Sequence, residues 1–305
     1  MAEAATPTVA RRRIRLALRE ARETAGLTQQ QVADEMDWSL SKVIRIENGE
    51  VTIAPNDLRP LLGFLGIRDK SVVSGLLIDA RIARTRQRQS WWQTSPYREV
   101  LTDHLRKLIE YECEASRIRY FSIYFIPGTL QLPEYADALM ALYGEELPAE
   151  RNRLMLDARQ RRRQALLSRL DVVEVFVLLD ESVLMRPIGG ERIFADQLRE
   201  LHDLAAAGKI KLRMVPYALT TPVTNNATFE LLSLGENDSE GLLLYRESGL
   251  TDEAIETTSL TQRHRDRYDK VWRLALNETD TIDFVRKRIE ELDAQAGIGL
   301  GDHIP

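Results

Sequence analysis

Leu27-Thr28-Gln29-Gln30-Gln31-Val32-Ala33-Asp34-Glu35-Met36-Asp37-Trp38-Ser39-Leu40-Ser41-Lys42-Val43-Ile44-Arg45-Ile46-Glu47-Asn48-Gly49 decides how the first part of this chain folds. Thr28 is a good N-cap, and Gln31 three residues later completes a capping box. Val32, Ala33 and Met36 supply one buried face, with Ala33 small enough for two helices to cross closely. Asp37-Trp38 reads as a tight turn, and Ser39 caps a further helix. That helix buries Val43 and Ile46 and stops at Asn48-Gly49, a left-handed stop signal. Two short helices joined by a tight turn form the geometry that lays a helix in a major groove.

Working back from this stretch, Ile14, Ala17, Leu18, Ala21 and Ala25 recur at helical spacing and build a preceding helix that Gly26 ends. Working inward, the period decides which side chains are free. With Val43 and Ile46 turned in, Leu40, Ser41 and Arg45 project out, and Ser41 and Arg45 are neighbours four residues apart. Arginine forks onto guanine O6/N7, serine is a permissive partner, and leucine meets a thymine methyl, so these three are the candidate base readers. Thr28, Gln29, Ser39 and Lys42 lie at or beside helix starts, where phosphate contacts are expected.

The net charge of -5 is at odds with a polyanionic partner until it is divided along the chain. Residues 1–100 hold 16 Lys+Arg against 12 Asp+Glu, while the remainder holds 26 against 35. Only the N-terminal part therefore suits nucleic acid. A length of 305 residues suits two domains. The 44% hydrophobic and 29% charged composition is that of an ordinary globular protein, and no apolar run spans a bilayer. Met1–Ala10 has no apolar core of a signal peptide, and the single Cys113 permits no intramolecular disulfide, so a cytoplasmic setting is expected.

Beyond residue 96 the pattern changes. Helical periodicity covers Tyr97–Tyr120, Pro133–Tyr143, Ala149–Leu170, Glu191–Ala206, Asp252–Leu276 and Asp280–Leu292. Strand-like runs occupy Val172–Leu179, Ile210–Pro216, Thr228–Leu234 and Gly241–Arg246. We therefore expect a mainly α helix-turn-helix bundle followed by a larger α/β (α+β) C-terminal domain. The expected division is 11–70 for the DNA-binding bundle, 71–95 for a helical linker ending near Ser95-Pro96, 96–293 for the second domain and 294–305 for a flexible tail.

Other constellations admit plainer readings. Arg81, Arg84, Arg86 and Arg88 either add phosphate contacts or form a solvated linker helix. Trp91-Trp92 are expected to pack against the second domain rather than stack on bases. Arg151, Arg153, Arg159, Arg161, Arg162, Arg163 and Arg169 crowd one helix, where local ion pairs are expected ahead of an anionic ligand. Ile282, Val285, Ile289 and Leu292 make too short a seam for a coiled coil, so docking on their own domain is expected. His104, His202, His264 and His303 lack metal-ligand spacing, and no P-loop, GxGxxG or GxSxG occurs. We expect no cofactor, no metal and no enzyme. A nuclease is suggested only by Asp180-Glu181 with Lys209 and Lys211, where capping of a helix by the acids is the simpler account.

The quoted stretch resembles the XRE/Cro-like helix-turn-helix family, in particular its long actinobacterial, WhiJ-like members from Streptomyces. Leu27-Thr28-Gln29-Gln30-Gln31-Val32-Ala33 and Asp37-Trp38-Ser39-x-Ser41-Lys42-Val43-x-Arg45-Ile46-Glu47-Asn48-Gly49 carry the likeness. Leu40 stands where those regulators usually have proline, at the DNA-facing start of the third helix. The second half resembles their companion domain, of unknown function, through Phe125-Ile126-Pro127-Gly128-Thr129-Leu130-Gln131-Leu132-Pro133-Glu134-Tyr135-Ala136, Leu179-Asp180-Glu181-Ser182-Val183-Leu184 and Met214-Val215-Pro216. The resemblance implies a transcriptional regulator, and a homodimer on a palindromic double-stranded operator is expected of it, acting as a repressor. It also implies a small BldB-like protein partner. The alternative is an antitoxin-like protein that neutralises such a partner and autoregulates its operon.

Overall fold

The computed structural model describes residues 7–84, 90–141, 148–220, 228–234, 241–247 and 251–299. The chain divides into two compact units, Met1–Ser90 and Trp91–Pro305.

Among the described residues unit 1 holds five helices packed as a bundle: α1 (Pro7–Thr24), α2 (Gln29–Glu35), α3 (Leu40–Glu47), α4 (Pro55–Phe64) and α5 (Lys70–Ile82). The expected caps form. The Gln31 amide donates to Thr28 Oγ1 at 3.2 Å while the Thr28 amide donates to Gln31 Oε1 at 2.8 Å, closing the capping box. The Lys42 amide donates to Ser39 Oγ at 3.2 Å and starts α3. Between α2 and α3 the chain reverses at Asp37, whose φ of 54° is one of the few left-handed conformations aspartate tolerates. Ile14, Leu18, Val32, Ala33, Val43, Ile46, Leu58 and Leu62 meet in one core. Fully burying each of the valine, leucine and isoleucine side chains contributes roughly 1.5–3 kcal/mol before entropy is counted.

The stretch 71–95, expected as a linker helix, divides differently. Leu76, Leu77 and Ala80 bring α5 into the bundle core, so this helix is part of unit 1. Its apolar positions recur every three to four residues, which fits a packed helix better than a bridging one. Trp91–Gln93 form a short 3-10 turn at the start of unit 2.

Unit 2 carries α6 (Tyr97–Val100), α7 (Asp103–Glu112), β1 (Arg117–Ser122), α8 (Pro133–Ala141), α9 (Ala149–Leu167), β2 (Glu174–Asp180), α10 (Glu181–Met185) and α11 (Glu191–Ala206). Then follow β3 (Lys211–Val215), β4 (Phe229–Ser233), β5 (Leu242–Glu247), β6 (Asp252–Ile255), α12 (Thr258–Leu274) and α13 (Glu278–Gly299). The strands form one mixed sheet in the order β3-β2-β1-β4-β5-β6. The β1–β2 and β2–β3 pairs are parallel; β4, β5 and β6 pair antiparallel. The architecture is α+β, as expected.

Two strands correct the sequence reading. β1 lies inside the stretch expected to be helical to Tyr120. Its Arg-Ile-Arg-Tyr alternation is a period-2 signal that the adjoining helix masks. β6 lies inside the stretch expected to be helical from Asp252. Asp252-Glu253-Ala254-Ile255 has poor strand propensity, and pairing with β5 overrides it. At the C-terminus, α13 continues to Gly299, into the expected tail, whose last residues 300–305 lie outside the described ones.

Register gives each face of the sheet its role. Phe121, Leu178, Val215, Phe229, Leu231 and Leu244 share a core with Tyr268 and Val271 of α12. On the opposite face Tyr120, Glu230 and Tyr245 stand side by side on β1, β4 and β5, a polar row among leucines and valines.

Candidate nucleic-acid interface

The α2–α3 crossing is closed by Ala33, which is fully buried, and α3 turns Val43 and Ile46 into the core. The opposite strip is thereby left to solvent. Leu40, at 37% exposure, Ser41 and Arg45 are all exposed, so the three candidate base readers share one open face.

The four candidate phosphate contacts are placed less uniformly. Thr28 and Ser39 are exposed at the starts of α2 and α3, although their hydroxyls already accept the capping amides. Gln29 is half-buried, and its Nε2 donates to Glu47 Oε2 at 2.8 Å. Lys42 holds its ammonium 3.7 Å from the centre of the Trp38 ring and 3.5 Å from Asp57 Oδ2. Arg45 Nε lies 3.6 Å from Glu50 Oε2.

Sequence reasoning missed the network behind this face. Glu47 is buried and receives Arg22 Nε at 2.7 Å and Arg22 Nη2 at 3.0 Å, a bidentate pair, in addition to Gln29. Arg22 Nη1 also donates to the Leu27 carbonyl at 3.0 Å. The Arg22–Glu47 pair thus ties α1, the α1–α2 turn, the start of α2 and the end of α3. The readable signal was an acid on the same inward face as Val43 and Ile46, with an arginine four residues beyond the inward Leu18.

In unit 2 four arginines of α9, and Arg169 just beyond its end, bond within the unit. Arg159 Nη1 donates to Gln131 Oε1 at 2.6 Å, Arg161 Nε to Asp157 Oδ2 at 2.6 Å, and Arg163 to Glu200. Arg162 forks onto Glu112 at 2.8 and 2.7 Å, while Arg169 donates to the carbonyls of Glu112 and Ala115. These contacts fasten α9 to α7 and α11. Trp91, Trp92 and Tyr97 pack with Leu101, Ile109 and Ala158, with Arg161 over the Trp91 and Tyr97 rings. Val285 and Leu292 are fully buried, so the seam on α13 docks within the chain. Arg86, Arg88 and His303 lie outside the described residues.

The suggested nuclease pairing does not assemble. β2 and β3 are parallel, with Asp180 opposite Val215 and Lys211 opposite Phe176. Four strand residues, roughly 13 Å, therefore separate Asp180 from Lys211. Asp180 caps α10, Glu181 Oε2 accepts the Tyr217 amide at 2.7 Å, and Lys209 pairs with Asp171. Among the described residues no group of three or more His, Cys, Asp or Glu side chains is placed to hold a metal.

A cleft of about 310 Å³, counting its open mouth, is lined by Trp91, Glu112, Cys113, Tyr120, Thr129 and Arg162 among others. Burial, with the charge of Glu112 second, pushes the Cys113 thiol up to about 11 and leaves it a poor nucleophile. Beside this cleft Glu230 Oε1 is 4.0 Å from Arg162, and Glu230 Oε2 is buried without a hydrogen-bond partner. Burial and then the Glu112 charge push the Glu230 carboxyl up to about 8, against the opposing pull of Arg162.

Residues 13–72 match the helix-turn-helix domain family, and the exposed strip on α3 lies inside the match. The fold and the site together define a DNA-binding regulator. Residues 105–287 match the family described as Domain of unknown function (DUF5753), and the chain belongs to that family. No curated protein and no solved structure matches the chain. No helix among the described residues is long and apolar enough to cross a membrane.

Proposed function

We propose that the chain is a sequence-specific transcriptional repressor of the XRE/Cro-like, long actinobacterial type, acting in the cytoplasm and reading DNA with α3. One observation carries this reading: Leu40, Ser41 and Arg45 share an exposed strip whose reverse side, Val43 and Ile46, is sealed in the core. Arg45 forks onto a guanine, Ser41 and Leu40 contact its neighbours, and Thr28, Gln29, Ser39 and Lys42 contact the backbone. For Gln29 and Lys42 this requires letting go of Glu47 and Asp57 in part.

A single α3 reaches few base pairs, so a homodimer reads a palindrome whose half-sites are about one turn, ~34 Å, apart. Every assigned DNA contact lies in unit 1. Unit 2 is left to set DNA affinity by favouring one of two states in response to a ligand or a small protein partner, without catalysis of its own. In vitro selection from a random duplex library tests the reading. Arg45→Ala should cost about 1–3 kcal/mol at the selected site with little loss on random DNA. Equal loss on both would make Arg45 a phosphate contact and remove its assigned role.

A further inference from the structure

The two cations of α3 are each held by a carboxylate from the segment that follows it. Arg45 Nε lies 3.6 Å from Glu50 Oε2, and Lys42 Nζ lies 3.5 Å from Asp57 Oδ2. Glu50 is placed there by the helix end. Gly49 takes φ +77°, the Glu50 amide donates to the Arg45 carbonyl at 2.9 Å, and Asn48 Nδ2 donates to Glu50 Oε1 at 3.1 Å. That last bond leaves Oε2 turned to Arg45. The third acid of this region, Glu47, is buried and paired with Arg22, so it adds little to the surface field.

We propose that Glu50 and Asp57 are specificity determinants of the DNA-reading face: they balance the charge of Arg45 and Lys42 and hold Arg45 for base contact. The inference rests on the reading of α3 proposed above. Its chemistry follows from which nitrogen is held. Glu50 engages Nε of Arg45, which leaves the terminal nitrogens free for the fork onto guanine O6/N7. A phosphate approaching the same strip meets a carboxylate beside each cation. Attraction that does not depend on sequence is thereby reduced, whereas the base contact is retained. The side chains are 40–54% exposed, so these pairs are weak in water and exchange readily for a better partner.

The test uses the full-length chain and its Glu50→Gln, Asp57→Asn and double variants. Binding is measured against salt on a random-sequence duplex pool and on the consensus duplex that the unmodified chain selects. In the double variant, affinity for the random pool should rise about tenfold and its salt slope should steepen by about one to two. Consensus affinity should stay within about threefold, so the specificity ratio falls. Unchanged random-pool affinity would overturn the proposal, and equal loss on both duplexes would overturn it by making the acids supports of the fold. If Arg45→Ala binds the consensus as tightly as the unmodified chain, the reading of α3 itself fails. Failure to select any consensus removes both.

Discussion

Glu230 offers the sharpest quantitative test, because its environment makes the stability of unit 2 depend on pH in a stated direction. It stands between Tyr120 and Tyr245 on the face of the sheet opposite α12, with one buried carboxylate oxygen lacking a partner. The folded chain holds its carboxyl at about 8, against 4.5 for the ordinary group. Below pH 4.5 both folded and unfolded chains keep the proton, and the stabilisation is fully present. Between these values unfolding releases it, so stability falls by about 1.4 kcal/mol per pH unit. Near pH 6.5 the loss should be about 2–3 kcal/mol, growing until it levels off above about pH 8. Burial lowers the His264 imidazole, which acts in the opposite sense: its contribution is present above its ordinary value and is lost on acidification. Glu230→Gln separates the two, since it removes only the carboxyl titration. Urea unfolding of the full chain at pH 5.5, 6.5 and 7.5 should show the variant gaining on the unmodified chain as pH rises. Parallel pH profiles would refute the argument and mean that Glu230 is ionised in the folded core.

Two further outcomes concern unit 1. Glu47→Ala leaves the Arg22 guanidinium largely enclosed with only the Leu27 carbonyl and a 3.5 Å contact to Glu23, and should destabilise unit 1 by about 3 kcal/mol, the lower end for a broken buried pair. Adding Arg22→Ala should cost much less than a second independent loss, as read by urea unfolding with hydrogen exchange at residues 7–84. Gly49→Ala forces a left-handed φ of +77° on a residue with a Cβ, which would sit 2.9 Å from Arg15 Cδ. It should destabilise unit 1 by roughly 1–2 kcal/mol and speed hydrogen exchange at the end of α3.

What the sequence made legible was local. The capping box at Thr28, the Ser39 cap, the stop at Gly49 and the exposure of Leu40, Ser41 and Arg45 all follow from spacing within a few residues. What it hid was decided by distant partners. Gln29 reads as a helix-start contact, and only the folding of α3 against α1 brings Glu47 within 2.8 Å of it. Lys42 reads as a free cation until Trp38 and Asp57 are placed around it. β6 is a strand because β5 stands beside it, and no property of Asp252–Ile255 alone says so.

The arginines of α9 and of the turn after it show why charge counting by itself misleads about which unit suits DNA. Arg159, Arg161, Arg162, Arg163 and Arg169 each bond to a residue of unit 2, and four of the five acceptor sets include a carboxylate or a backbone carbonyl. Such groups hold helices together and attract a polyanion little. The excess of acid over base beyond residue 100 adds no net attraction for a polyanion. Unit 1 has only a small excess of base, and its two recognition-helix cations are each matched by an acid. With a small basic excess in one unit and an acidic excess in the other, formal charge gives affinity for arbitrary DNA no strong electrostatic source. Under the function proposed above, tight binding would come from the fit of Leu40, Ser41 and Arg45 to particular base edges, and the proposed dimer would double that fit.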